Sequence, residues 1–100
     1  MAIHYTLEEI ANRVAPIAQQ FGVEKLALFG SYARGEEHEG SDLDFLIERG
    51  SIQGWEFFGL METLEEELGL PVDVMTYESL FHSPIREAIK DEVVLYERKE

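Results

Sequence analysis

The chain has no cysteine, which excludes a disulfide scaffold, thiolate-bound zinc and thiol catalysis. Bases are scarce: 8 Lys and Arg stand against 21 Asp and Glu, a formal net charge of −13. Such a balance argues against gripping nucleic acid by phosphate neutralisation, because the electrostatic term opposes it. It argues equally against docking on an anionic membrane. Long apolar runs are missing too. The longest, such as LALF and VVLY, are four residues, far short of a membrane span. The N-terminal MAIHYTLEE is acidic and does not read as an export signal. What remains is a chain of 100 residues, 45% of them hydrophobic. That suits one domain over residues 1–100, with no internal boundary, built around a single core. The expectation is a small soluble cytoplasmic protein.

The acid is unevenly spread. No Lys or Arg lies between Arg49 and Arg86, while Glu56, Glu62, Glu65, Glu66, Glu67, Asp73 and Glu78 do. Runs of this kind usually form a solvated face, which suits Glu65 to Glu67. It suits Asp42 and Asp44 poorly, since they stand in a run that reads as a strand entering the core.

Periodicity predicts alternating helices and strands. Thr6 and Glu9 form a capping box ahead of Leu7, Ile10, Val14, Ile17 and Phe21 at helical spacing, with Gly22 as the stop. Pro16 inside this pattern predicts a kink or a split. Lys25 to Phe29 reads as a buried strand, residues 30–40 as a loop, and Leu43 to Glu48 as a second strand. A helix is expected over Gln53 to Leu68, with Phe57, Leu60, Met61, Leu64 and Leu68 on one stripe and Gly69 ending it. Trp55 and Phe58 lie off that stripe. They read either as an exposed apolar patch or as cover for the sheet edge or a pocket. Val72 to Thr76 is a third strand. Ser83-Pro84 opens a third helix from Ile85 to about Glu92, and Val93 to Glu97 is a fourth strand. The fold class is α/β (α+β): a small mixed sheet of about four strands flanked by three helices.

The chemistry concentrates in LFGSYARGEEHEGSDLDFLIE, residues 28–48. Gly30-Ser31 follows a strand, where glycine lets backbone N–H groups approach an anion and serine adds a hydroxyl. Asp42 and Asp44 are two apart, so in a strand they share a face. Two like charges there call for a cation between them, and Mg²⁺ characteristically takes one or two carboxylates plus substrate phosphates. Asp73 sits in a further apolar strand, VDVM. It is expected to face the same side, as a metal ligand or as acceptor of a hydroxyl proton. Each feature alone is also compatible with an ordinary turn or an outward-facing strand residue. No Walker-type loop is present. His4, His38 and His82 are scattered and suggest no zinc site.

Taken together, GS, ten residues, then DxD, with a third Asp on a later strand, resemble the DNA polymerase β-like nucleotidyltransferases. LFGSYARGE…SDLDFLIE, the PVDV strand and the closing EVVLYE are similar in particular to the minimal nucleotidyltransferases (MNT), antitoxins of HEPN/MNT toxin–antitoxin pairs. The resemblance covers nearly the whole chain. It implies the nucleotidyltransferase fold, with Gly30 and Ser31 on the nucleotide phosphates, Asp42 and Asp44 on Mg²⁺, and Asp73 completing the catalytic and metal-binding triad. The implied reaction is transfer of AMP from ATP to a tyrosine hydroxyl of a HEPN ribonuclease, which silences that toxin. Arg34 belongs to the same motif. It either offsets phosphate charge or pairs with Glu36 or Glu37.

Larger nucleotidyltransferases carry acceptor-holding domains. Nothing of that kind follows the core in this sequence, so the acceptor is expected to dock on the core itself, as a protein partner would. Two other readings stand beside this one. The first is a non-catalytic antitoxin that neutralises its HEPN partner by contact, against which the clustered carboxylates count. The second is a small-molecule nucleotidyltransferase, against which the absent acceptor domain counts.

Overall fold

The computed structural model describes residues 5–30, 33, 35, 42–50, 52–80 and 92–98. In chain order these hold helix α1 (Leu7–Phe21), strands β1 (Lys25–Phe29) and β2 (Leu43–Glu48), helix α2 (Glu56–Leu68), strand β3 (Val72–Thr76), a 3-10 turn (Glu78–Leu80) and strand β4 (Val93–Glu97). The strands form one four-stranded mixed sheet, ordered β3-β2-β1-β4. β1 pairs antiparallel with β2 and with β4, while β2 and β3 run parallel. A parallel pair needs a crossover rather than a tight turn, and α2 supplies it. All four strands match the sequence expectation. The expected third helix, with its Ser83-Pro84 start, lies outside the described residues, as do His4, His38 and His82.

Local chemistry sets the helix ends. The Thr6 hydroxyl accepts the Glu9 N–H at 3.1 Å, and the Glu9 carboxylate accepts the Thr6 N–H at 3.0 Å. Gly22 ends α1 at φ 77°, a left-handed cap that glycine adopts without a Cβ penalty. Pro16 does not split the helix, contrary to one expectation. It lies on the exposed side, where water can satisfy the carbonyl that lost its donor. Ile10, Val14, Ile17 and Ala18 on the buried side hold both halves to the sheet. α2 begins at Glu56 rather than Gln53. The Gln53 N–H donates to the Glu56 carboxylate at 2.8 Å and the Glu56 N–H to the Gln53 carbonyl at 2.9 Å, which closes a turn before the helix starts.

Both helices cover one face of the sheet. Leu60, Leu64 and Leu68 of α2 join the buried α1 residues over Leu26, Leu28, Leu43, Phe45, Ile47 and Val72. Each such side chain contributes about 1.5–3 kcal/mol by leaving water. The Tyr5 hydroxyl ties the helices together by donating to the Leu68 carbonyl at 2.7 Å. On the opposite face a smaller cluster of Ala27, Phe29 and Leu46 packs with Met75 and Tyr77. The two central strands are therefore buried on both sides, which is why LALF reads as a continuous apolar run rather than an alternating one.

Candidate active site

The acidic residues follow from strand alternation. β2 sends Leu43, Phe45 and Ile47 to the helix side, so Asp44 between them projects from the other face. β3 does the same: Val72 and Val74 pack with the helix-side core, and Asp73 points away, exposed. Sheet register then decides their relation. The parallel ladder sets Asp44 opposite Asp73, as it sets Leu43 opposite Val72. Neighbouring strands lie about 4.8 Å apart, so these two carboxylates are lateral neighbours on the face opposite α1 and α2.

β1 closes the other side of Asp44. Phe29 pairs with Asp44 across the antiparallel ladder, and the chain turns at Gly30 with φ 81°. A Cβ on Gly30 would stand 2.5 Å from Asp44 Oδ2. The Asp44 carboxylate thus occupies the space that a side chain at position 30 would fill. Sequence reasoning assigned Gly30 to phosphate approach alone. The structure adds that glycine there makes room for the half-buried Asp44. Asp42 is exposed at the entrance to β2, where the Leu43 N–H donates to the Pro71 carbonyl at 3.0 Å. Ser31 and Arg34 lie outside the described residues.

Among the described residues, no group of three or more His, Asp or Glu is gathered into a metal cage. The Asp44–Asp73 pair still offers hard carboxylate oxygens side by side. That donor set fits Mg²⁺, which completes its octahedron with substrate phosphates and water rather than with an all-protein cage.

The far rim of the sheet has a different character. A cleft of about 620 Å³ is lined there by Glu24, Glu48, Arg49, Gln53 and Tyr77, among others. It lies at the C-terminal ends of β2 and β3, away from Asp44 and Asp73, and its carboxylates disfavour a phosphate. Beside it the Tyr77 hydroxyl donates to the Glu92 carboxylate. Lys25 Nζ lies 3.5 Å from the same carboxylate and 4.9 Å from the centre of the Tyr77 ring. Burial, then the hydrogen bond to Glu92, then the charges of Glu92, Glu48 and Glu97 push the Tyr77 hydroxyl well above its ordinary range. Nothing in the local sequence marks this trio, because its members meet only through the fold.

Residues 12–100 match the family profile described as Polymerase beta, Nucleotidyltransferase. The chain belongs to the polymerase β nucleotidyltransferase family. Within that family it is 40% identical to the protein adenylyltransferase MntA of Thermococcus cleftensis, over 89% of this chain and 94% of that one. A Methanocaldococcus jannaschii protein named as a protein adenylyltransferase is also 40% identical, over 88% of this chain and 95% of its own. Among solved structures, a minimal nucleotidyltransferase superposes with TM-score 0.74 at 28% identity, covering 90% of this chain and 96% of the other. A chain from the complex of a tri-AMPylated Shewanella oneidensis HEPN toxin with its MNT antitoxin shares the fold. It gives TM-score 0.68 at 16% identity, over 92% of this chain and 73% of that one. As a nucleotidyltransferase, the chain carries its paired acids on the sheet face opposite α1 and α2, at the sheet end where β1 leads into Gly30.

Proposed function

We propose that this protein is a Mg²⁺-dependent adenylyltransferase that acts as an antitoxin, transferring AMP from ATP to a tyrosine hydroxyl of a HEPN-type ribonuclease toxin in the cytoplasm. One observation carries the reading: sheet register brings Asp44 and Asp73 together, with Gly30 making room for the Asp44 carboxylate. The names of its relatives, and the toxin complex that shares its fold, supply the acceptor class.

In this reading Asp42, Asp44 and Asp73 hold Mg²⁺, and Gly30, Ser31 and Arg34 hold the triphosphate. When bound, the metal neutralises phosphate charge and stabilises the attacking and leaving oxygens. The tyrosine oxygen bonds to the α-phosphorus of ATP as the bond from that phosphorus to the bridging oxygen breaks. Pyrophosphate leaves with that electron pair. The hydroxyl proton passes to a carboxylate, a role this reading gives to the exposed Asp73, and then to solvent. No base-rich surface is required, so a net charge of −13 is compatible with a nucleotide substrate.

The test combines the protein with a HEPN-type toxin, Mg²⁺ and ATP labelled at the α-phosphate. Label is expected on a toxin tyrosine. It is expected to vanish with chelator and to fall by at least about 100-fold in Asp44→Asn or Asp73→Asn, with circular dichroism unchanged. A wild-type protein that suppresses toxicity without transferring label would instead be an antitoxin acting by contact alone.

A further inference from the structure

One surface of the molecule has no part in this chemistry. α2 buries Leu60, Leu64 and Leu68. At 100° per residue its opposite side carries Trp55, Phe58, Glu62 and Glu66 in a line along the axis. Trp55 is 80% exposed and Phe58 65%, and both glutamates are exposed. Among the described residues, neither aromatic packs with either core cluster. Trp55 stands at the N-cap without a side-chain capping bond, so the helix end gains nothing from it. Of the two readings open at the sequence level, the exposed patch is the one observed.

The chemistry of the stripe selects its occupant. From Gly50 to Ile85 the chain has no Lys or Arg, so α2 carries no cation of its own. Nearby Arg49 is stacked on Phe57 at 5.7 Å. The stripe is therefore aromatic at its N-terminal end and acidic towards its C-terminal end. A second copy is a poor match. Each copy carries −13, and antiparallel pairing of two such helices would set Trp55 and Phe58 against Glu62 and Glu66. Nucleic acid and anionic membranes are opposed by the same charge. The complement is a protein segment that offers an apolar pocket beside Lys or Arg. We propose that the outer face of α2 is the docking surface for a basic, apolar-pocketed segment of the toxin partner. This inference rests on the reading above that the partner is a HEPN-type toxin. It assigns recognition to α2 and leaves the reaction to the opposite face of the sheet.

Affinity for the toxin would be measured for the wild type, Trp55→Ala/Phe58→Ala and Glu62→Lys/Glu66→Lys. All four side chains are exposed, and circular dichroism checks that each variant folds. The aromatic pair is expected to weaken binding by about 100-fold, the scale of hot-spot truncation. The charge reversal should weaken it roughly tenfold at low salt, and less as salt screens the interaction. Wild-type affinity in both variants would overturn the proposal. So would a dimer of the protein alone that Trp55→Ala/Phe58→Ala disperses, or a wild type that binds no toxin. The two readings separate cleanly. Label transferred with affinity unchanged in the variants removes the docking surface and keeps the enzyme. Binding lost in the variants while the wild type transfers no label does the reverse.

Discussion

At the scale of single residues, Gly30 is the position where conformation and chemistry meet. Its φ of 81° is one that other residues enter at a cost of about 1–2 kcal/mol. A Cβ there would also meet Asp44 Oδ2 at 2.5 Å. Gly30→Ala is therefore expected to displace the carboxylate while the core stays intact. AMP transfer should fall by about 100-fold, as for a misplacement of about 1 Å at a reacting centre, with a cooperative urea transition preserved. A Gly30→Ala protein that transfers at the wild-type rate would show that Asp44 needs no such clearance. The reading of Gly30 as a phosphate-approach residue was available from sequence. Its partnership with Asp44 was not, because the clash involves a residue on the neighbouring strand.

At the scale of elements, the ends of α1 were legible because caps are local. Thr6 and Glu9 are three apart, and each satisfies the other's backbone N–H. Thr6→Ala should lower stability by about 1 kcal/mol, read as a lower urea midpoint with unchanged slope. The start of α2 was less legible. The expected start at Gln53 falls three residues before the observed one, because the turn closed by Glu56 holds those residues out of the helix. Of the kink or split expected at Pro16, the split does not occur, for a related reason. Whether a missing N–H breaks a helix depends on which side it faces and on how firmly the other side is held, and both depend on tertiary packing.

At the scale of the whole molecule, the sheet face opposite α1 and α2 joins two unlike ends. One holds Asp44 and Asp73. The other holds Tyr77 and Lys25, and the Glu92 carboxylate reaches both from the approach to β4, next to Phe29 in register. Tyr77 keeps its proton in the folded state beyond the ordinary tyrosine value of 10.0. Above that value the unfolded chain releases the proton while the native chain retains it, so unfolding becomes more favourable as pH rises. The stabilisation is complete below about pH 10 and declines above it. Tyr77→Phe should thus be less stable at neutral pH and should show a shallower alkaline loss. Urea unfolding from neutral pH to about pH 11 checks this. Parallel alkaline limbs for the two proteins would remove Tyr77 from the linkage.

The sequence by itself determined the bounds of all four strands, the capped ends of α1, the stop of α2, and the identity of the acids that leave the core at Asp44 and Asp73. These are properties of nearest neighbours along the chain: period two, period 3.6, and the left-handed freedom of Gly22 and Gly69. Only the tertiary structure decided which residues meet across the sheet. Alternation turns Asp44 and Asp73 away from the helices, but it does not say that β2 and β3 are adjacent, parallel and in register. Tertiary structure likewise set the Asp44 carboxylate over Gly30, joined Tyr77 to Glu92, and left Trp55 and Phe58 in solvent. Local spacing determines the face on which a side chain emerges, whereas its neighbours depend on the order and register in which distant strands pair.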